Sequence, residues 1–313
     1  LSIRLEIDVQ SRGAMSGVLS LGTLDPAFTA ASSVDGDQVV LDLKDVEFVE
    51  PAGICGLATL LEYLIPRSKN VRLALEGRDG RQVAAYLERM DFFRLFGGRI
   101  STDADLSSLE ERKRHNPGTL QELVNFQTED EIPGIVQRIA EILETMGYKM
   151  RERVDICSTL SEICANAAEH GVAGKESGAP AFGAYAAVQA YNHVVSGGSR
   201  GDRRGGEEVI VAIADGGPGI RDTLARNPAN AEFTGSDNEA LRHAIKMGVS
   251  SSGEVGRGGG LNLVSQIAAR AGGSLSLRSG SGRVTAYKDR TNSRNVPAFP
   301  GTFVRVSLPR GLR

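Results

Sequence analysis

From Val209 to Ala214 six apolar residues run without a break, and the run ends on Asp215-Gly-Gly-Pro-Gly219. An apolar run of that length suits a buried strand, so the aspartate that follows is carried to the rim of a pocket. Glycine there lets backbone approach a ligand closely. A plain turn is the competing reading, because Asp-Gly and Pro-Gly are turn dipeptides. Glycine is the compositional anomaly of the whole chain: 38 of 313 residues, crowded into the second half.

The remaining composition is that of a globular protein, with 41% hydrophobic and 24% charged residues, and the length is enough for two ordinary domains. A formal net charge of −3 gives no basic field for nucleic acid or anionic lipid, and no apolar stretch is long enough for a membrane helix. The N-terminal residues alternate apolar and charged side chains and lack the layout of a secretory signal, which makes the expected location cytoplasmic. Cys55, Cys157 and Cys164 follow no disulfide or zinc spacing. Cys157 and Cys164 are expected to point into one core from a shared helix.

Residues 1–97 alternate strand and helix patterns. Ile3, Leu5, Ile7 and Val9 recur at period two, Val39 to Leu43 and Val71 to Leu75 suit buried strands, and Gly53 to Leu64 and Arg81 to Arg89 carry helical spacing. A small α/β domain follows from that order. Residues 98–118 turn polar, with a charge run at Glu110 to Arg114 and an Asn-Pro-Gly turn, and are the expected linker. Residues 119–313 then predict a mixed α+β sandwich. Its strands are expected at Leu120 to Phe126, Phe182 to Val195, Val209 to Ala214, Ser274 to Leu277, Arg283 to Tyr287 and Thr302 to Leu308. Its helices are expected at Ile132 to Met146 and from about Arg151 to His170, the latter ended by Gly171.

That second helix carries Glu162, Asn166 and His170 four residues apart, so carboxylate, amide and imidazole share one face. By itself such a stripe is better explained by a solvated surface. A third segment, Gly256-Arg-Gly-Gly-Gly-Leu-Asn-Leu263, places a glycine cluster directly before a helical pattern. Unpaired amides at a helix start are a ready site for phosphate oxygens, yet the cluster is neither a Walker loop nor a dinucleotide fingerprint.

Together the three segments resemble the N box (Leu160 to Gly171), the first glycine box (Asp215 to Gly219) and the second glycine box (Gly256 to Leu261) of the GHKL ATP-binding fold. That family includes gyrase, histidine kinases and anti-sigma-factor serine kinases. The resemblance implies an α+β sandwich of the Bergerat type, with ATP and Mg²⁺ as cofactors. It makes Asn166 the Mg²⁺ ligand and Glu162 the general base, and it sets His170 near the phosphates. Asp215 would accept from the adenine amino group beside Gly217 and Gly219. Gly256, Gly258, Gly259, Gly260 and Leu261 would hold phosphate, and Thr302, after Gly301, would face the adenine. Residues 221–255 would form a mobile lid, flexible at Gly248 to Gly253.

Val39 to Leu57 resembles the strand, turn and helix start of a STAS domain, the module of anti-sigma-factor antagonists. Regulatory members carry a phosphorylated serine in that turn, where this chain has Glu50, Pro51, Ala52 and Gly53. Ala52 has no hydroxyl to accept phosphate. Glu50 as a mimic of the modified state is the weaker reading, because one carboxylate carries about half a phosphate's charge.

The resemblance therefore implies a protein-serine/threonine kinase or anti-sigma-like regulator acting on a protein partner, a STAS-type antagonist or sigma-like regulator among them. It leaves room for a homodimer and expects no direct nucleic-acid or membrane contact. The alternative is a nucleotide-gated interaction module or slow ATPase. A sensor histidine kinase would need His115 as phosphoacceptor, in a stretch too short and turn-like for a dimerisation hairpin. A topoisomerase or chaperone would need a further domain after the nucleotide fold.

Overall fold

The computed structural model describes residues 2–6, 17–36, 38–77, 79–107, 109, 118–172, 183–192, 207–246, 249 and 259–310. It is a mixed α/β protein with a parallel sheet and a separate antiparallel sheet. In the parallel sheet β1 (Ser2–Glu6), β3 (Gln38–Asp42), β5 (Asn70–Ala74) and a short β6 (Ser101–Thr102) lie in the order β1-β3-β5-β6. The two-residue strands β2 (Val18–Leu19) and β4 (Phe48–Val49) pair beside it. Helices α1 (Asp25–Ala31), α2 (Pro51–Leu64), α3 (Gly80–Arg89) and α4 (Phe92–Phe96) complete this half. Strand β6 falls within the stretch read as polar linker, and Leu109 there is buried. Ile7, Val9 and residues 110–117, with His115, lie outside the described residues.

The antiparallel sheet has the order β10-β11-β9-β8-β7, built from β7 (Leu120–Phe126), β8 (Ala184–Asn192), β9 (Glu207–Asp215), β10 (Ser274–Ala286) and β11 (Thr291–Arg310). Between its strands run α5 (Ile132–Thr145), α6 (Met150–Val172), α7 (Ile220–Leu224), α8 (Asp237–Ala244) and α9 (Gly260–Arg270). A capping box formed by Thr128 and Glu131 introduces α5.

Two expectations need correction. The strands read at 274–277 and 283–287 are one strand, β10, which stays paired to β11 through register shifts at Ser279 to Gly282. Glycine there lets the ladder kink without ending it, and a one-dimensional pattern reads that kink as a break. Gly171 does not end α6, which continues to Val172. Its φ is not positive, so no left-handed cap forms there. The outer parts of the strand expected at 182–195 and the glycine-rich loop at 196–206 lie outside the described residues.

The central sheet is covered on both faces, and side-chain size differs between them. On β9, Val209, Val211 and Ile213 face a core shared with Ile139, Leu160, Ile163 and Val264 of α5, α6 and α9. The alternate residues Ala212 and Ala214, with Ala187 of β8, join a second core containing Ile54, Leu57 and Leu61 of α2 and Leu5, Leu41 and Leu73 of the parallel sheet. At these five positions of β9 period two puts the larger residues on one side and the alanines on the other. The small side admits a close helix. Of the 14 residues of α2, 12 are buried, and the Cys55 thiol lies 3.8 Å from the Ala212 carbonyl. A helix buried nearly all round must be walled on every side.

Polar links stitch the same seam. Arg305 Nε donates to Glu50 Oε2 at 3.1 Å, Tyr185 donates to Glu62 at 2.7 Å, and Tyr86 donates to Gln189 at 2.6 Å. Phe28 of α1 stacks on Phe299 of β11 with ring centroids 4.2 Å apart. Cys157 and Cys164 both enter the core under α6, as expected, and burial pushes the Cys164 thiol up to about 12. Among the described residues no helix is long and apolar enough to cross a membrane.

Gly53 is needed by close approach, because a Cβ there would sit 2.1 Å from the Leu19 carbonyl oxygen. Gly53→Ala should therefore lower stability by roughly 1–3 kcal/mol, as overpacked cores do. In a Cys157→Ala, Cys164→Ala background it should also speed thiol labelling of Cys55. A melting curve and a labelling rate equal to those of the parent would contradict this account of the seam.

Candidate functional site

Strand β9 delivers Asp215 to the end of the sheet, where the residue is only 5% exposed. Its Oδ1 accepts from the Gly217 N–H at 2.9 Å, and the backbone N–H of Thr302 is a second donor. Burial pushes the Asp215 carboxyl up to about 7, against the opposing pull of those two N–H groups. Beside it, β11 closes onto β9 through Gly301, whose φ is +95° and whose Cβ would fall 1.9 Å from the Asp215 carbonyl oxygen. Only glycine fits there.

The Ser279 hydroxyl accepts from the Ile220 N–H at 2.9 Å and donates to the Gly301 carbonyl at 3.0 Å. It thereby ties the glycine turn before α7 to both β10 and β11. No sequence signal pointed to Ser279, because its role arises from strand pairing.

On α6, Leu160, Ile163 and Cys164 enter the core while Glu162, Asn166 and His170 turn toward a cavity of about 390 Å³. The four-residue spacing fixes this division, since it advances little more than one helical turn each time. Burial holds His170 below its ordinary value, the nearby Arg226 acts the same way, and Glu169 opposes them. Helix α9 meets α6 at its first turn. The Cβ position of Gly260 is 2.9 Å from Glu162 Oε2, so a side chain there would crowd the carboxylate.

Glu162, Asn166, His170, Asp215, Gly219, Gly260, Leu261 and Thr302 all line this single cavity. Gly217 supports Asp215 from behind and Gly259 caps α9. Gly256 and Gly258, with most of the segment read as the flexible part of the lid, lie outside the described residues. The first part of that lid is helical: Thr223 and Leu224 of α7 and Ala244 of α8 roof the cavity. Glu129, just before α5, also borders it, and nothing in its sequence context singled it out.

The cavity pairs an apolar wall, from Ile213, Ile220, Leu224 and Val304, with a buried carboxyl at its floor. That combination suits a flat, weakly polar ring bearing an N–H donor. At the other end, the start of an 11-residue helix leaves amide donors free for anionic oxygens. Among the described residues no group of three or more His, Cys, Asp or Glu is placed to hold a metal ion.

No protein-family model and no curated protein matches this sequence. Among solved structures the chain is similar to the SiaB-SiaC complex from Pseudomonas aeruginosa, at 16% identity, over 66% of this chain and 99% of that one, with a TM-score of 0.30. A score of that size does not define a common fold.

The buried carboxyl couples stability to pH. The folded carboxyl keeps its proton up to about pH 7, whereas an ordinary aspartate releases it near 3.8. The stability associated with the protonated form is thus complete below that lower value and is lost as pH rises through 7. Asp215→Asn should abolish this fall, so that at pH 8 the ligand-free variant melts above the wild type while the two converge near pH 4. Parallel melting profiles across that range would refute the assignment.

Proposed function

We propose that this chain is a Mg-ATP-binding regulator, with a GHKL-type nucleotide fold behind a STAS-like half, and that it acts as a protein-serine/threonine kinase or anti-sigma-like regulator on a partner protein. The observation that carries this reading is the convergence of three distant segments on one cavity: the Glu162-Asn166-His170 stripe, Asp215 with Gly219, and Gly260 with Leu261. Each chemical demand of a purine nucleotide then has a matching group. The Asp215 carboxyl accepts from an exocyclic amine, and the apolar wall covers the ring. The first amides of α9 meet phosphate oxygens, and the Asn166 amide oxygen supplies one ligand to a hard cation.

Bound Mg-ATP would supply a transferable phosphoryl group. Glu162, exposed on the cavity's rim, would take the proton from an attacking hydroxyl. The acceptor belongs to another molecule. Ala52 has no hydroxyl, and it is 1% exposed in the seam beneath the sheet, on the face away from α6 and α9.

A second reading, a nucleotide-gated interaction module, is favoured by one feature. Roof helix α8 is bound to the β10–β11 hairpin, Asp237 Oδ2 accepting from the Ser281 N–H at 2.8 Å and Arg242 donating to Ser293 at 2.9 Å. The same hairpin packs on α1 of the first half. A change at the roof therefore has a route to the other half that requires no phosphoprotein.

Calorimetry and phosphotransfer assays separate these outcomes. Wild type should bind ATP at least about tenfold more tightly with Mg²⁺ than with EDTA, and Asn166→Ala should bring that ratio close to one. Glu162→Ala should keep nucleotide affinity within about twofold yet lose about 10²-fold or more of any transfer to protein in a lysate of the source cell. Transfer unaffected by Glu162→Ala rejects the kinase. Absent transfer with ATP-dependent self-association or partner binding selects the switch, and no affinity for adenine nucleotides rejects both.

Nucleotide binding should also release a proton near pH 7, because an N–H donor favours the ionised Asp215 carboxyl over the protonated one. Binding enthalpies should accordingly vary with buffer ionisation enthalpy in the wild type and not in Asp215→Asn.

A further inference from the structure

Where the turn between β2 and α1 meets the β10–β11 hairpin, guanidinium groups outnumber the carboxylates that face them. Arg278 is fully buried and Arg283 is 7% exposed, and both address one oxygen, Asp25 Oδ1, at 3.5 and 3.0 Å. Arg278 Nη2 also donates to the Pro297 carbonyl at 2.7 Å and Arg283 Nη2 to the Leu21 carbonyl at 2.9 Å. Beyond these, Arg278 Nη1 and Arg283 Nε are buried without a hydrogen-bond acceptor among the described residues. The Phe28 ring, 4.4 Å from the Arg278 guanidinium carbon, takes up part of one charge.

A third guanidinium joins them at Gly22. A point one bond off the Gly22 α-carbon, where a side chain would begin, lies 3.3 Å from Arg283 Nη1, 3.6 Å from Arg294 Nη2 and 3.6 Å from Ser20 Oγ. Three donors thus converge on a cradle kept open by the missing side chain. Gly22 is partly exposed, so the cradle is reachable from solvent. Among the described residues the buried Arg278 and Arg283 face the one carboxylate of Asp25, which leaves one positive charge unmatched in the seam, and the exposed Arg294 adds a second at its edge. Such charges are stabilised when paired and hydrogen-bonded.

We propose that this cradle is an oxyanion site for a phosphoryl group, distinct from the nucleotide cavity. A phosphoryl dianion balances the surplus of two charges. Its tetrahedral oxygens accept from several directions, as the donors of Arg283, Arg294 and Ser20 require, and guanidinium is the side chain best suited to it. Arg283 and Arg294 lie on the hairpin and Ser20 on the first half, so a bound phosphoryl group clamps the two halves together.

The test is thermal unfolding of the full, nucleotide-free chain in inorganic phosphate against chloride at equal ionic strength. Phosphate at about ten times its dissociation constant should raise Tm by roughly 2–4 °C. Arg294→Ala should lose the rise, and Gly22→Val, which fills the cradle and keeps every charge, should lose it as well. Asn166→Ala should retain it, which separates this site from phosphate held in the nucleotide cavity. An equal rise with phosphoserine extends the site to phosphoryl groups carried on other molecules, and a rise with inorganic phosphate alone assigns it to the free ion. No difference between phosphate and chloride, a rise that survives both Arg294→Ala and Gly22→Val, or a rise lost in Asn166→Ala overturns the proposal.

Discussion

The structure depends on the burial of β9 on both faces, with Val209, Val211 and Ile213 toward α5, α6 and α9 and the small Ala212 and Ala214 toward α2. Had Ala187, Ala212 and Ala214 been bulky, α2 could not approach the strands, and its own nearly complete burial would be lost. Small residues on both partners bring helix and sheet backbones together, so the first half becomes one wall of the antiparallel sheet. A single apolar cluster accordingly runs from the parallel sheet into the antiparallel one.

That docking decides what the first half presents. The turn at Glu50 to Gly53, read from the sequence as STAS-like, is turned inward, with Glu50 paired to Arg305 and Ala52 enclosed. The first half is thus a structural element of this chain at that surface. The β10–β11 hairpin reaches across from the other side, touching α8 above the cavity and α1 in the first half. Packed cores shift between discrete arrangements more readily than they deform, so such a bridge is suited to transmit a roof movement.

At the cavity, energy is set against stability. Asp215 sits where burial disfavours its charge, and the neighbouring N–H groups offset that only in part. An empty carboxyl of this kind weakens the fold near neutral pH, and a donor arriving in the cavity relieves it. The close approach of Gly301 to the Asp215 carbonyl, possible only for glycine, fixes the backbone beside the same residue.

The sequence by itself determined the local pieces. An unbroken apolar run marked β9, four-residue spacing put Glu162, Asn166 and His170 on one face of α6, and helical spacing of apolar residues over Ile132 to Met146 marked α5. These depend on neighbours within a few residues, and pattern reads them directly. Helices α1 and α4 were not legible because each is less than two turns long and is held by aromatic contacts from distant residues. Ser279, Gly22 and the Arg278–Arg283–Asp25 cluster were silent because their partners are distant in the chain. Only tertiary structure decided which face of the central sheet α2 would cover, that Gly260 would meet Glu162, and that two arginines would share one carboxylate. Those outcomes rest on pairings between residues far apart in the chain, or on strand register, and neither leaves a period in the sequence.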